Sequence, residues 1–291
     1  MYPIVLIHGI ARFDIVAELL RRELPSALDF FDRFQYFNGI KDHLIANGFT
    51  DVLTPNLDFA GPSAVRAQQL GNDIDSYLTQ TGERKVHLIA HSMGGLDARR
   101  LIVDPRSAGK IASLTTIGTP HLGTVLADEV IGENGGELLR DIQKFIKLDL
   151  RGAADLTVDA CTKFNEQFAD AEVKNDVFYQ AYVGSESEDR VFGPLLPSYR
   201  FLFDKVGAND GLVPVGSQAW MKTLESSDGT TKDVSQKAFP IPADHLNETG
   251  WWDWEERDGT FQLANPITQK HEYEDAVKAV YLEIARSVQD I

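Results

Sequence analysis

The chain has 291 residues, 43% of them hydrophobic, enough apolar material for one large domain or a domain with a small cap. Forty-four acidic residues against 28 basic ones leave a formal charge of −16, a field that repels nucleic-acid phosphates and excludes nucleic acid as a partner. The single cysteine, Cys161, excludes an internal disulfide, and no run approaches the roughly 18 apolar residues of a membrane span.

In chain order, the N-terminus lacks the basic region and long apolar stretch of a signal peptide, which predicts a cytoplasmic protein, or a secreted one if a signal peptide has been removed. Apolar runs at residues 3–7, 52–54, 86–90 and 111–117, separated by helix-period stretches, predict an α/β chain with a mostly parallel sheet. Leu70, Ile74, Tyr77 and Leu78 mark one face of a helix over residues 64–78, and residues 94–103 continue as another. The alternation breaks over residues 128–155, where Gly132, Gly135 and Gly136 precede an amphipathic segment carrying Leu138, Ile142, Phe145 and Ile146. This stretch reads as a cap or lid at about 124–176 within a single domain spanning 1–291; an ordinary packing helix fits the same stripe. Val277, Val280, Tyr281, Ile284 and Val288 predict a last helix packed on the sheet.

Ala90-His91-Ser92-Met93-Gly94 follows the third strand-like run and precedes a helix-compatible segment. A serine on a strained strand-to-helix turn needs small residues two positions before and after it, so Ser92 is the candidate nucleophile, with Ala90 in place of the usual glycine. His8-Gly9-Ile10 ends the first strand, where a turning backbone can aim the Ile10 amide at the same point. With the Met93 amide it would form an oxyanion hole.

A serine at neutral pH needs a base. Beyond the cap only His245 and His271 follow the elbow. His271 sits at the start of the predicted last helix among Glu272, Glu274 and Asp275, which reads as a solvated terminus, whereas His245 lies in a proline-containing loop after a strand-like run. Asp210, in the Asn209-Asp210-Gly211 turn upstream of His245, is the candidate acid that orients the imidazole. The remaining histidines near these motifs, His87 and His91, are expected to pack or hydrogen-bond near the sheet, with His121 open between packing and tuning. Trp251, Trp252 and Trp254 are expected to anchor the last loop, with lining of an acyl cleft as the alternative.

Four stretches, residues 2–9, 90–95, 118–124 and 209–213 with 245–248, resemble the bacterial triacylglycerol lipases of the Pseudomonas, Burkholderia and Proteus type. The resemblance implies an α/β-hydrolase fold with helices on both faces of the sheet and a small helical cap or lid. It also implies a Ser92, Asp210, His245 triad and oxyanion donors at Ile10 and Met93. The expected activity is hydrolysis of carboxylic esters, most naturally triacylglycerols with medium to long acyl chains at a lipid–water interface, through an acyl-enzyme intermediate. A short-chain carboxylesterase, a polyester depolymerase and a non-catalytic binding protein on the same scaffold are the alternatives.

The departures concern metal and cleft. The structural calcium of those lipases uses an aspartate two residues after the histidine and another in a Leu-Asp-Pro-Ser segment; here Asn247 and Leu196 occupy those positions, so no metal and no cofactor are expected. Glu186, Glu188 and Asp189 upstream read as a solvated acidic loop. Residues 15–33, with Leu19, Leu20, Leu24 and Phe30, read as an insertion that could wall the substrate cleft.

Overall fold

Short β-rich runs buried on both faces build the central sheet of the computed structural model, which describes residues 1–10, 36–59, 61–132, 150–251, 254–257, 260–263 and 267–291. The strands are β1 (Ile4–Ile7), β2 (Val52–Leu53), β3 (Val86–His91), β4 (Ile111–Ile117), β5 (Phe178–Val183), β6 (Thr223–Glu225), β7 (Thr231–Asp233), β8 (Ser235–Ala238), β9 (Trp254–Arg257) and β10 (Thr260–Leu263). Six of them form one sheet in the order β2-β1-β3-β4-β5-β8, with every neighbouring pair parallel. β6 with β7 and β9 with β10 make two antiparallel hairpins outside it.

Parallel strands need crossovers, and the helices supply them: α1 (Ile40–Ala46), α2 (Ser63–Thr81), α3 (Met93–Ile102), α4 (Val125–Ile131), α5 (Val158–Lys174), α6 (Leu196–Val206), α7 (Val215–Gln218) and α8 (Ile267–Val288). Because successive strand residues point to opposite faces, Val5 and Ile7 join Leu70, Ile74, Ala98 and Leu101 of α2 and α3 in one core cluster. Ile4 and Leu6 join Ile40 and Leu44 of α1 and Val277, Tyr281, Ile284 and Val288 of α8 in the other. The last-helix stripe read from the sequence is therefore the packing face of α8. None of the described helices is long and apolar enough to cross a membrane.

Within the expected cap at about 124–176, both ends have defined helix starts: Thr124 accepts from the Leu126 amide and Thr157 from the Ala160 amide. The far end of this stretch is tied to α3, whose fully buried Arg99 donates to Glu172 of α5 at 2.7 and 2.9 Å and lies 3.9 Å from the Trp220 ring centroid. The apolar segment with Leu138, Ile142, Phe145 and Ile146, and the insertion expected at 15–33, lie outside the described residues, as does Trp252.

Candidate active site

The carboxyl end of β3 carries the site. Ser92 takes φ 57° and ψ −135°, a backbone conformation that a non-glycine residue adopts only when its surroundings enforce it. The enforcement is steric. A Cβ on Gly94 would stand 2.7 Å from the Ile7 carbonyl oxygen, and one on Gly9 would stand 2.5 Å from Ser92 Cβ, so the β1 turn and the elbow close on each other only as glycine. Ala90, two residues before Ser92, is wholly buried in the core. Thr119 fastens the turn from behind by donating to the Ser92 carbonyl at 2.8 Å. Gly9 thus sits against the serine, one residue before Ile10, while Met93 begins α3, whose first amides have no intrahelical acceptor.

The three side chains singled out in the sequence come together. His245 Nε2 is 2.8 Å from Ser92 Oγ, and His245 Nδ1 is 2.8 Å from Asp210 Oδ2. Asp210 is fully buried, and its carboxylate accepts from the Leu212 and Val213 amides at 2.9 and 2.7 Å on Oδ1 and from Gln218 at 3.0 Å on Oδ2. The His245 amide donates to the Asp210 carbonyl at 2.8 Å, so acid and base loops are joined through backbone as well as side chain. Such a line can lift the proton from a serine hydroxyl and hold it on an oriented imidazole. His271, the other histidine considered, lies within α8.

A family profile described as PGAP1-like alpha/beta domain matches residues 68–160. The chain is 28% identical to Triacylglycerol lipase 2 of Saccharomyces cerevisiae over 283 residues, covering 86% of this chain and 80% of the yeast protein. It is 35% identical to a Triacylglycerol lipase of Vibrio cholerae over 131 residues, covering 45% of this chain and spanning only 36% of the Vibrio protein. Among solved structures it resembles the mature Bacillus licheniformis lipase BlEst2 (TM-score 0.60, 18% identity, 84% and 85% of the two chains). It also resembles the metagenomic carboxyl esterase MGS0156 (TM-score 0.61, 16% identity, 99% and 76%). The chain has the α/β-hydrolase fold. In this fold a mostly parallel sheet presents a serine on the turn after one central strand, as β3 does here.

Several residues that complete this α/β-hydrolase site were not read from the sequence. Arg66 of α2, fully buried, donates to the His8 carbonyl at 2.6 Å, to the Asp58 carbonyl at 2.6 Å and to Asp97 of α3 at 2.7 Å, and so holds the turn that carries Gly9 and Ile10. Burial, aided by the Arg66 charge, pushes His8 down to about 4, and the neutral ring accepts from the Leu57 amide at 3.2 Å. Asp244 Oδ1 accepts from the Leu246 and Asn247 amides, both at 2.9 Å, and Oδ2 accepts from the Phe192 amide at 2.8 Å. Burial raises this carboxyl to about 6.

Glu248 stands behind the base. Its Oε2 is 3.9 Å from His245 Nδ1 and 3.1 Å from His91 Nε2, in a cradle where a Cβ on Gly118 or Gly184 would come within 2.1 or 2.0 Å of its oxygens. Burial, then the charges of Asp210 and Asp244, hold Glu248 well above the usual carboxylate range, while burial holds His91 well below the usual imidazole range. Both shifts favour the neutral forms, so the His91 to Glu248 contact is a hydrogen bond between neutral groups rather than an ion pair. No sequence signal pointed to this glutamate except its position three residues after His245, which a tight turn places on the same side.

At the two positions compared with the lipases' calcium ligands, the Asn247 side chain bonds within the His245 loop, accepting from the Asp244 amide at 3.2 Å and donating to the Trp251 carbonyl at 2.8 Å, and Leu196 opens α6 with an apolar side chain. Among the described residues, His91, His245 and Glu248 are a group spaced to share a metal, yet both His245 nitrogens already face Ser92 and Asp210. His87 bonds Ser113 at 2.8 Å near the start of β3, far along the strand from the elbow, and His121 stacks on Trp220 with centroids 4.4 Å apart, so both have packing roles. Trp251 donates to the Tyr36 carbonyl at 3.1 Å, an anchoring contact.

Proposed function

We propose that the protein is a serine-dependent carboxylic ester hydrolase working as a triacylglycerol lipase on medium to long acyl chains. The observation that carries this reading is the unbroken line from Ser92 Oγ through His245 to Asp210 on an enforced elbow. Ser92 attacks the ester carbonyl as His245 accepts its proton on Nε2; Asp210 holds the other ring nitrogen and stabilises the imidazolium that forms. The carbonyl oxygen, now negative, is received by the Ile10 and Met93 amides, a stabilisation typically worth roughly 2.7–4 kcal/mol per donor. The imidazolium then protonates the leaving alkoxide, and water repeats the cycle on the acyl-enzyme with His245 as base. No step uses a metal or a cofactor.

The triacylglycerol lipase of Saccharomyces cerevisiae supports the lipid substrate, since its likeness runs through 86% of this chain. A cap at about 124–176 over the acyl cleft and a lipid–water interface as the working surface belong to the same proposal. The experiment is covalent labelling with a fluorophosphonate followed by peptide mapping, together with hydrolysis of emulsified triolein against soluble tributyrin. Labelling confined to Ser92 and turnover of triolein are expected. A protein that labels at Ser92 but turns over only soluble short esters is a carboxylesterase, and one that does not label at Ser92 is no serine hydrolase.

A further inference from the structure

The hydrogen-bond chain behind the elbow does not stop at Glu248. His91 Nδ1 lies 2.6 Å from the Tyr36 hydroxyl, and that hydroxyl in turn packs against Gly9. The placement is tight: the space where Gly9 lacks a Cβ is bounded by Ser92 Cβ at 2.5 Å, the Tyr36 hydroxyl at 2.8 Å and Ser92 Oγ at 2.9 Å. Tyr36 therefore touches the loop that carries the Ile10 amide at the point where it passes the nucleophile. At its other end the string reaches Glu248, whose Oε2 is 3.9 Å from His245 Nδ1.

Both ring nitrogens of His91 are engaged, Nε2 with Glu248 at 3.1 Å and Nδ1 with Tyr36, so the imidazole links the carboxyl to the phenol. Gly9 packs against the phenol oxygen from the opposite wall, and in a close-packed interior that oxygen cannot shift without losing one contact or the other. Tyr36 is itself held, its ring against Phe37 at 5.0 Å and His8 at 5.5 Å between centroids.

We propose that Tyr36 and His91 are positioning residues for the oxyanion hole, forming with Glu248 a buried string that keeps the Gly9–Ile10 loop in register with the loop carrying His245. The inference rests on the hydrolase reading above. Oxyanion donors act on charge present only in the transition state, so loosening that loop lowers kcat and leaves KM nearly unchanged. A merely structural hydroxyl would lower the folded fraction instead.

The test compares two deletions of a buried tyrosine hydroxyl. Tyr36→Phe removes the centre of the string, whereas Tyr281→Phe removes a hydroxyl that donates to the Glu248 carbonyl at 3.0 Å and takes no part in it. Both are assayed on p-nitrophenyl butyrate with concentrations set by fluorophosphonate active-site titration. Tyr36→Phe is expected to lower kcat about ten-fold with KM within two-fold, and Tyr281→Phe to keep its kcat per active site while unfolding at a lower temperature. His91→Phe, which cuts the string at its middle, should repeat the kcat loss of Tyr36→Phe. A kcat within two-fold of the parent in Tyr36→Phe, or equal losses in the two tyrosine variants, overturns the proposal. An inactive parent, or a Ser92→Ala variant as active as the parent, would instead refute the hydrolase reading.

Discussion

Asp210→Asn changes one oxygen to an NH2 group and almost nothing in shape, which makes it the sharpest probe of how the acid works. The parent carboxylate has four donors aimed at it: the Leu212 and Val213 amides on Oδ1, and His245 Nδ1 with the Gln218 side chain on Oδ2. An asparagine can satisfy only one of these two pairs. The backbone pair cannot rotate, and leaving two buried amides unbonded would cost about 1–3 kcal/mol each, so the asparagine oxygen turns toward Leu212 and Val213. Its NH2 then faces His245, which must offer a lone pair at Nδ1 and carry its proton on Nε2. That proton points at Ser92 Oγ, and the imidazole can no longer accept from it. The expected loss is about 10,000-fold in kcat, close to 5.5 kcal/mol of barrier, with folding little changed. Initial rates on p-nitrophenyl butyrate, far-ultraviolet circular dichroism and thermal unfolding of the variant measure both sides of this statement. A kcat within ten-fold of the parent would refute the tautomer argument, and so would a loss explained by an unfolded variant.

Three other perturbations follow from the packing around the site. Arg66→Ala strands the fully buried Asp97 without its counter-charge and should cost about 3–5 kcal/mol in urea unfolding, whereas Arg66→Met with Asp97→Leu, which removes both charges, should cost markedly less. Gly184→Ala drives a Cβ into the space 2.0 Å from Glu248 and should destabilise by roughly 1–3 kcal/mol, while Gly216→Ala in α7, with nothing within 4 Å, should be neutral in thermal unfolding. For pH, His8 is pushed down to about 4 in the folded protein, so between the ordinary imidazole value and 4 the unfolded chain binds more protons than the folded one. Its contribution is present above the unfolded value and is lost as pH falls toward 4, on the order of 3 kcal/mol in all. Unfolding temperatures from pH 7 to 4 should therefore fall less steeply for His8→Asn than for the parent, and parallel curves would contradict the assignment.

The parts of the fold legible in the sequence are those where burial acts on both faces of a strand or one face of a helix. The runs at 3–7, 86–90 and 111–117 became β1, β3 and β4, and the stripe from Val277 to Val288 is the packing face of α8. The strand-like run before the His245 loop could be given no bounds, because Ser235-Gln236-Lys237-Ala238 of β8 is a short polar edge strand with no apolar alternation, and β5 went unread because it is interrupted by Gln180, which bonds Thr115 across the sheet at 2.7 Å. The elbow and the Asn209-Asp210-Gly211 turn were visible because special backbone geometry limits which residues can stand there. Arg66, Asp97, Asp244 and Glu248 were not visible, since a buried charge looks like any surface charge until its partners, 31 to 157 positions away, are brought beside it. Tyr36 carried no signal, as its role depends on meeting a histidine 55 residues later in the chain.

The central claim is that Ser92 cleaves esters unaided by a metal. Hydrolysis of p-nitrophenyl esters from C2 to C16 by the parent and by Ser92→Ala, each with and without a chelator, tests it most directly. Activity that rises toward the longer chains, disappears in Ser92→Ala and is unchanged by the chelator is the expected result. Ester turnover that survives Ser92→Ala, or that the chelator abolishes, would contradict it.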